Sequence, residues 1–307
     1  MVDRDVTLAS ASPIAPARPI GRTRPGGFRL RRTVLAIAKY GVLGFWAFLC
    51  LYPMLLVVST ALKNPTIETG NPFDLFSSIH VANFERAWTL GNFGAYFLNT
   101  VAVMVPTVLG VVVLSTMAGY AFARFEFPFK TLLFYLFILG LMVPFFALMI
   151  PLYYNLRDYG LLDTLPAVIL PSIAGAGGTG LPMGVFLMRA FFLDMPDELA
   201  DAGRVDGCTE FGVFRHVMLP LAAPGAAALA ILAFLSAWNT FLLPLLYLPS
   251  QEHWTLAMGL LVFTGGRTRE LELTAAGTLI MIAPVVLFFL LFQRQFIRGL
   301  TAGAVKG

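Results

Sequence analysis

The chain has 307 residues, 58 % of them hydrophobic, 12 % charged, and a formal net charge of +4. Ordinary soluble domains carry about 25 % charged residues, so a chain this apolar (mean hydropathy +0.79) cannot cover its own surface with polar groups. Two cysteines, Cys50 and Cys208, exclude a disulfide framework, and His80, His216 and His253 are too scattered for a metal site.

The first 33 residues are rich in Pro, Ala, Ser and Arg without apolar periodicity, and read as a disordered basic tail. Six apolar segments then follow, each long enough to cross about 30 Å of hydrocarbon. They cover roughly 36–62, 93–120, 131–153, 165–188, 222–248 and 273–293. The first is too long and too far from the start for a cleaved signal. Lys and Arg set the orientation. Seven arginines before the first span share a side with Arg124, Lys130, Arg189, Arg204, Arg215, Arg294, Arg298 and Lys306. The other side holds Lys63, Arg86, Arg157, Arg267 and Arg269. The pattern predicts an all-α polytopic membrane protein of six transmembrane helices with both termini cytoplasmic. The basic excess then reflects topology and anionic lipid; no nucleic-acid motif accompanies it.

Inside the span cores, Asn99, Asn239, Ser115, Thr116, Ser236 and Thr240 are polar, but there is no carboxylate, His or Lys. Proton- or ion-coupled carriers place such groups there, so energy is expected to enter from outside the membrane. Pro53, Pro106, Pro144, Pro151, Pro166, Pro171 and Pro244 punctuate the spans. Two readings stand for them: ordinary bundle packing, or broken helices lining a cavity. Residues Gly175 to Gly180 spell G-x-G-x-x-G, but in an apolar span before Leu181-Pro182 they read as a helix interruption or close packing, not a dinucleotide site. There is no G-x-x-x-x-G-K-[ST], so no ATP site is expected here, and no constellation of His, Asp, Glu, Ser or Cys suggests an enzyme.

The polar loop between the fourth and fifth spans, 191–221, is the informative segment. Pro196 suits a first helical position, Asp197 and Glu198 the positive end of a helix dipole, and Gly207 a C′ stop. Leu199, Ala202 and Val205 fall on one face. A second short helix is predicted with Thr209 as N-cap and Phe211 and Phe214 on its apolar side, ending at Leu219-Pro220. Such a pair either docks in a groove of another protein or lies on the membrane surface.

This loop resembles the EAA loop of ABC importer permeases, roughly E-A-A-x-x-x-G, nine residues, then I-x-L-P. Asp201-Ala202-Gly203 takes the E-A-A place, Gly207 the glycine, and Val217, Leu219 and Pro220 the rest; Asp for Glu and Gly for Ala are departures. The resemblance narrows to the second permease of maltose-type carbohydrate importers. It is carried by Ala118 to Phe125, Ile150 to Tyr153, Tyr159 to Thr164, Ala237-Trp238-Asn239-Thr240-Phe241 and the ending Gly299 to Gly307.

The resemblance implies a permease domain over 34–298 that pairs with a second permease, two ATPase subunits and an extracytoplasmic sugar-binding protein in a bacterial cytoplasmic membrane. ATP and Mg would sit on the ATPases; this chain would bind no cofactor and catalyse nothing. Asp201, Ala202, Gly203, Asp206 and Gly207 would form the coupling element. The tail 299–307, with Gly299, Thr301, Gly303 and Lys306, would reach the ATPases, or else hang loose. A sugar suits a neutral lining, for which Asn239, Trp238 and Tyr153 are candidates against a packing role. Another polar solute such as glycerol phosphate, or an ion-coupled carrier, are the alternatives.

Overall fold

The structure, a computed structural model, describes residues 27–64, 75–264 and 270–302, with side chains described within 33–293. Two compact units are distinguished, Met1–Met54 and Leu55–Gly307. The first contributes the larger part of α1 (Gly27–Ala61). From Leu35 to Leu51 every residue of this helix is exposed except the half-buried Ala36. Phe45, Trp46 and Phe48 are all more than half exposed. An apolar helix with an apolar exposed surface is suited to lipid, not water.

In the second unit, α2 (Ala82–Leu90) leads through the left-handed Asn92 into α3 (Phe93–Arg124). Then come α4 (Lys130–Leu139), α5 (Phe145–Asp158), α6 (Pro166–Ala174), α7 (Leu181–Leu193) and α8 (Asp197–Val205). Next, α9 (Glu210–Val213), a π turn (Phe214–Met218) and α10 (Leu219–Leu221) run on as one helical stretch before α11 (Ala223–Trp238). The chain finishes with α12 (Leu242–Tyr247), a 3-10 turn (Gln251–His253), α13 (Leu256–Gly259), α14 (Leu261–Thr264) and α15 (Leu271–Ala302). No strand occurs among the described residues, as the expected all-α class requires.

Of the six apolar segments, the first, second and sixth are continuous helices long enough to cross a membrane: Thr33–Ala61, Phe93–Arg124 and Leu271–Gln293. The other three are each interrupted, at 140–144, 175–180 and 239–241. The stretch Glu210–Leu221 meets Ala223–Trp238 at 73°. Gly140 with Pro144, and the glycines of 175–180, account for two of the breaks, since each removes a donor or relaxes the backbone where the helix must stop. The supposed dinucleotide motif is thus a helix interruption.

The helix α3 is the spine of the second unit. Its Phe93 and Tyr96 pack with Phe234, Trp238, Leu256 and Leu273; Val103 packs with Leu156, Val168, Leu243 and Tyr247; Val111 and Tyr120 pack with Met188, Phe192, Val213, Met218 and Leu229. Apolar side chains gain little by leaving lipid, so close approach of small residues is the effective glue. The α3–α7 contact shows it: a Cβ on Gly184 would collide with Ser115 Oγ, and one on Gly119 would sit 2.7 Å from Met188 Cβ. The four-residue step is the same on both helices, so they run parallel. Thr107 donates to Val103 O at 2.7 Å, whereas Thr100 donates to Tyr96 O and accepts from the Leu256 N–H, both at 2.8 Å, which ties α3 to α13. At the other end, Asp163 accepts from the Ser250 N–H at 3.0 Å and donates its own N–H to Tyr247 O at 2.8 Å. That joins the loop after α5 to the one after α12. The Ser250 and His253 groups around it hold the Asp163 carboxyl below the usual carboxylate range.

Candidate functional site: a helical elbow and a cavity at three helix breaks

The elbow is α8 with α9. Helix α8 starts one residue later than the sequence suggests: Pro196 is its N-cap, at φ −58° and ψ 141°, and Asp197 and Glu198 fill the first turn. It stops as expected. Gly207, at φ +82°, donates to Arg204 O, and Cys208 donates to Gly203 O, both at 3.0 Å. This is a Schellman stop, whose left-handed position costs a β-branched residue about 1–2 kcal/mol. Asp206 is the C-cap.

The inner face of α8 is Ala200 and Gly203, both buried. A Cβ on Gly203 would lie 3.2 Å from Val217 Cγ2 and 3.4 Å from Val213 Cγ2. The two valines therefore occupy the room that alanine would need, a local reason for glycine there. Leu199, Ala202 and Val205 share the opposite face, as the spacing predicts; Val205 is 87 % exposed. Asp201 is exposed and accepts from Arg204 Nη1 at 2.7 Å. Arg204 also grips Glu210 with Nε and Nη2, at 2.8 and 3.2 Å. This fork holds the Glu210 carboxyl below its ordinary range and pushes the Arg204 guanidinium further up. It staples the first helix of the elbow to the second.

Thr209 caps α9 as predicted, its Oγ1 accepting from the Gly212 N–H at 3.2 Å. Phe211 and Phe214 share one side as predicted, with ring centroids 6.2 Å apart, Phe214 buried and Phe211 61 % exposed. The second helix does not end at Leu219-Pro220. Leu219 donates five residues back to Phe214 O, and helix continues to Leu221. The π register lets the chain carry Pro220 without a stop.

The cavity measures about 800 Å³ and lies where the three interrupted segments break. The first break supplies Leu141 and Val143, the second Gly175, Gly177 and Gly178, the third Asn239, Thr240 and Phe241, with Ser236 beside them. Among the described residues, no charged side chain lines it. Gly178 is forced by space: a Cβ there would collide with Ser236 Oγ, which accepts from the Thr179 N–H at 3.0 Å. The lining is thus uncharged, aliphatic and aromatic side chains with backbone, one amide and two hydroxyls among them, a chemistry that fits uncharged polyhydroxy molecules.

Of the three path candidates, Asn239 lines the cavity, as the C-cap of α11, with Nδ2 donating to Leu235 O at 2.8 Å. Trp238 does not. It is 3 % exposed, stacked on Phe234, with Nε1 donating to Met281 O at 3.2 Å. Tyr153 stands on α5 against Tyr154 and Tyr247, outside the cavity lining. Gly299 and Thr301 belong to the last turns of α15; Gly303 and Lys306 lie outside the described residues, as does the tail up to residue 26. Sequence reasoning did not single out Gly178, Phe241 or Arg124 as site residues; the glycine cluster was the available signal for the first.

Residues 111–301 match the family described as binding-protein-dependent transport system inner membrane component. Several curated proteins are similar over most of their length. The diacetylchitobiose uptake system permease protein NgcG of Streptomyces coelicolor is 34 % identical over 273 residues, 88 % of this chain and 89 % of that protein. The arabinooligosaccharides transport system permease protein AraQ of Halalkalibacterium halodurans is 38 % identical, covering 86 % and 94 %. The trehalose transport system permease protein SugB of Mycobacterium tuberculosis is 37 % identical, covering 90 % and 98 %. Among solved structures, a chain of a bacterial ABC transporter involved in import of the acidic polysaccharide alginate superposes with a TM-score of 0.74 at 22 % identity. The match covers 86 % of this chain and 97 % of that one, and shows a shared fold.

Proposed function

The chain belongs to the binding-protein-dependent transport system inner membrane component family, and from that membership we propose that it is a permease subunit of an ATP-driven sugar importer. In this reading it spans the membrane six times, with three of the spans broken at the cavity, and both termini face the cytoplasm. It pairs with a second permease to enclose the translocation path. An extracytoplasmic sugar-binding protein delivers the solute, and two ATPase subunits bind ATP and Mg.

The observation that carries the reading is the α8 elbow. A short helix with a fixed stop turns Leu199, Ala202 and Val205 away from its own chain. Asp201, Ala202, Gly203, Asp206 and Gly207 form the coupling element in this proposal: Gly203 and Gly207 shape it, Asp201 and Asp206 give it charge. The end of α15 and the tail, with Gly299, Thr301, Gly303 and Lys306, approach the ATPases as a second contact. Mechanically, ATP favours one arrangement of the ATPases, and differential contact with the elbow shifts the permease with it. The cavity then opens to one side or the other. Its neutral lining suits a neutral oligosaccharide, held weakly enough to leave.

The test is reconstitution of the chain with its partner permease, ATPases and binding protein in proteoliposomes. Labelled trehalose and arabino-oligosaccharides serve as probes, after the substrates named for similar proteins. ATP-dependent uptake that Asp201→Lys abolishes while the complex stays assembled supports the proposal. Assembly and uptake untouched by Asp201→Lys and by Gly207→Val would sink the coupling role.

A further inference from the structure

The joint between α7 and α8 is held by a residue from a third helix. Arg124, the last residue of α3, has a side chain only 8 % exposed. Its Nη2 donates to Phe192 O at 2.9 Å, which the Met195 N–H also reaches at 3.3 Å, and to Met195 O at 2.6 Å in the turn beyond α7. Its Nη1 pairs with the carboxylate of Asp197, the first residue of α8. One guanidinium therefore binds the end of α7, the turn after it and the start of α8. A planar fork with fixed donor directions suits this; a lysine ammonium does not.

The tie is reciprocated. Arg189, near the end of α7, donates from Nε to Phe122 O at 3.3 Å, near the end of α3, and its guanidinium lies 4.1 Å from the Phe134 ring centroid on α4. Two parallel helices thus cap each other with arginines, and Gly119 lets their backbones close to contact. The opposite end of α7 is at the cavity: Pro182, in its first turn, lines it together with Gly175. A helix of 13 residues covers about 20 Å from cavity to joint.

We propose that Arg124 is a positioning residue that makes α7 and α8 one rigid arm, so that displacement of the elbow reaches the cavity through α7. This rests on the reading of α8 as the ATPase-coupling element. Without Arg124, the three-residue turn Asp194-Met195-Pro196 loses its tie to α3 and bends more easily: the elbow moves with the ATPases, and the cavity end of α7 follows less.

Spin-label distance measurements on the assembled complex in nanodiscs test this, with Cys50 and Cys208 replaced by Ser. One pair, Met183→Cys with Glu198→Cys, reads the stiffness of the arm. A second, Leu141→Cys with Met183→Cys, reads the cavity. With Arg124 intact, adding ATP and vanadate changes the cavity distance and leaves the arm distance narrow and constant. In Arg124→Ala the arm distribution broadens about two-fold or more, and the cavity change shrinks to less than about half. An arm as narrow in Arg124→Ala as in the parent overturns the proposal. Should Arg124→Ala not assemble, Arg124→Lys and Asp197→Asn decide it: each keeps part of the tie, so intermediate broadening supports the proposal and unchanged width overturns it. A parent complex in which ATP and vanadate leave the cavity distance unchanged overturns the coupling reading instead. The width of the nucleotide-free arm still judges Arg124.

Discussion

At Asn239 the side chain does two things at once, closing the end of α11 and facing the cavity. Replacing it by Ala removes an amide from a neutral lining, where a single hydrogen bond to solute contributes about 1 kcal/mol, or roughly 5-fold. Asn239→Ala is expected to lower sugar uptake by about that factor, measured in proteoliposomes, while co-purification with the partner subunits is unchanged. Gly207 makes a different kind of demand. Its φ of +82° is open to glycine and tolerable for asparagine. Gly207→Val should cost about 1–2 kcal/mol locally and loosen the elbow, so that ATP hydrolysis continues with less uptake per ATP, whereas Gly207→Asn should stay near normal. Paired assays of phosphate release and uptake distinguish the two. Residues of this kind were legible in the sequence, because glycine past an amphipathic helix has one dominant meaning. Trp238 was not: adjacent helical residues differ by about 100°, so which of Trp238 and Asn239 meets the cavity depends on what α11 packs against. The carbonyl of Met281, 43 residues away, settles it.

The elbow as an element depends on the bridge from Asp201 through Arg204 to Glu210. The Glu210 pKa is lowered, so the stabilisation it gives is present above the unfolded glutamate value of about 4.3. It is lost as pH falls through the lowered folded value. Both partners are about half exposed, so salt also weakens the pair. Amides of residues 208–213 in the assembled complex should therefore exchange faster with deuterium as pH drops below about 4, after correction for intrinsic rates, and Glu210→Gln should show the faster exchange at neutral pH. Unchanged protection in Glu210→Gln would remove the bridge from the account. The helices and their lengths of apolar sequence were legible; the three breaks were less so. Pro144 and the 175–180 glycines announced two of them, but a run that is apolar throughout carries no periodicity to show where a helix stops and resumes. At 239–241 there is neither Pro nor Gly.

For the whole molecule, the decisive feature is the want of titratable groups among the described residues around the cavity. A cavity lined this way offers no side chain to carry a proton, and in the proposed importer the energy comes from nucleotide on the ATPases. Uptake by the reconstituted complex is expected to require ATP on the ATPase side, to stop with vanadate and to persist when ionophores collapse the proton and sodium gradients. Loss of uptake with an ionophore at constant ATP would restore the ion-coupled alternative. The overall class was readable from the apolar segments and the placement of charge between them, whereas the α3–α7 pairing was not, since it rests on small residues that meet although far apart in the chain.

That pairing is also completed late in synthesis. Arg124 precedes Asp197 by 73 residues. At about 5–20 residues per second, the guanidinium waits roughly 4–15 s before its carboxylate exists. Until then the α3 terminus needs water or lipid phosphate for its charge, and the finished joint replaces that provisional partner. The same arginine that stiffens the mature arm thus marks, during biogenesis, whether α7 has been laid down beside α3.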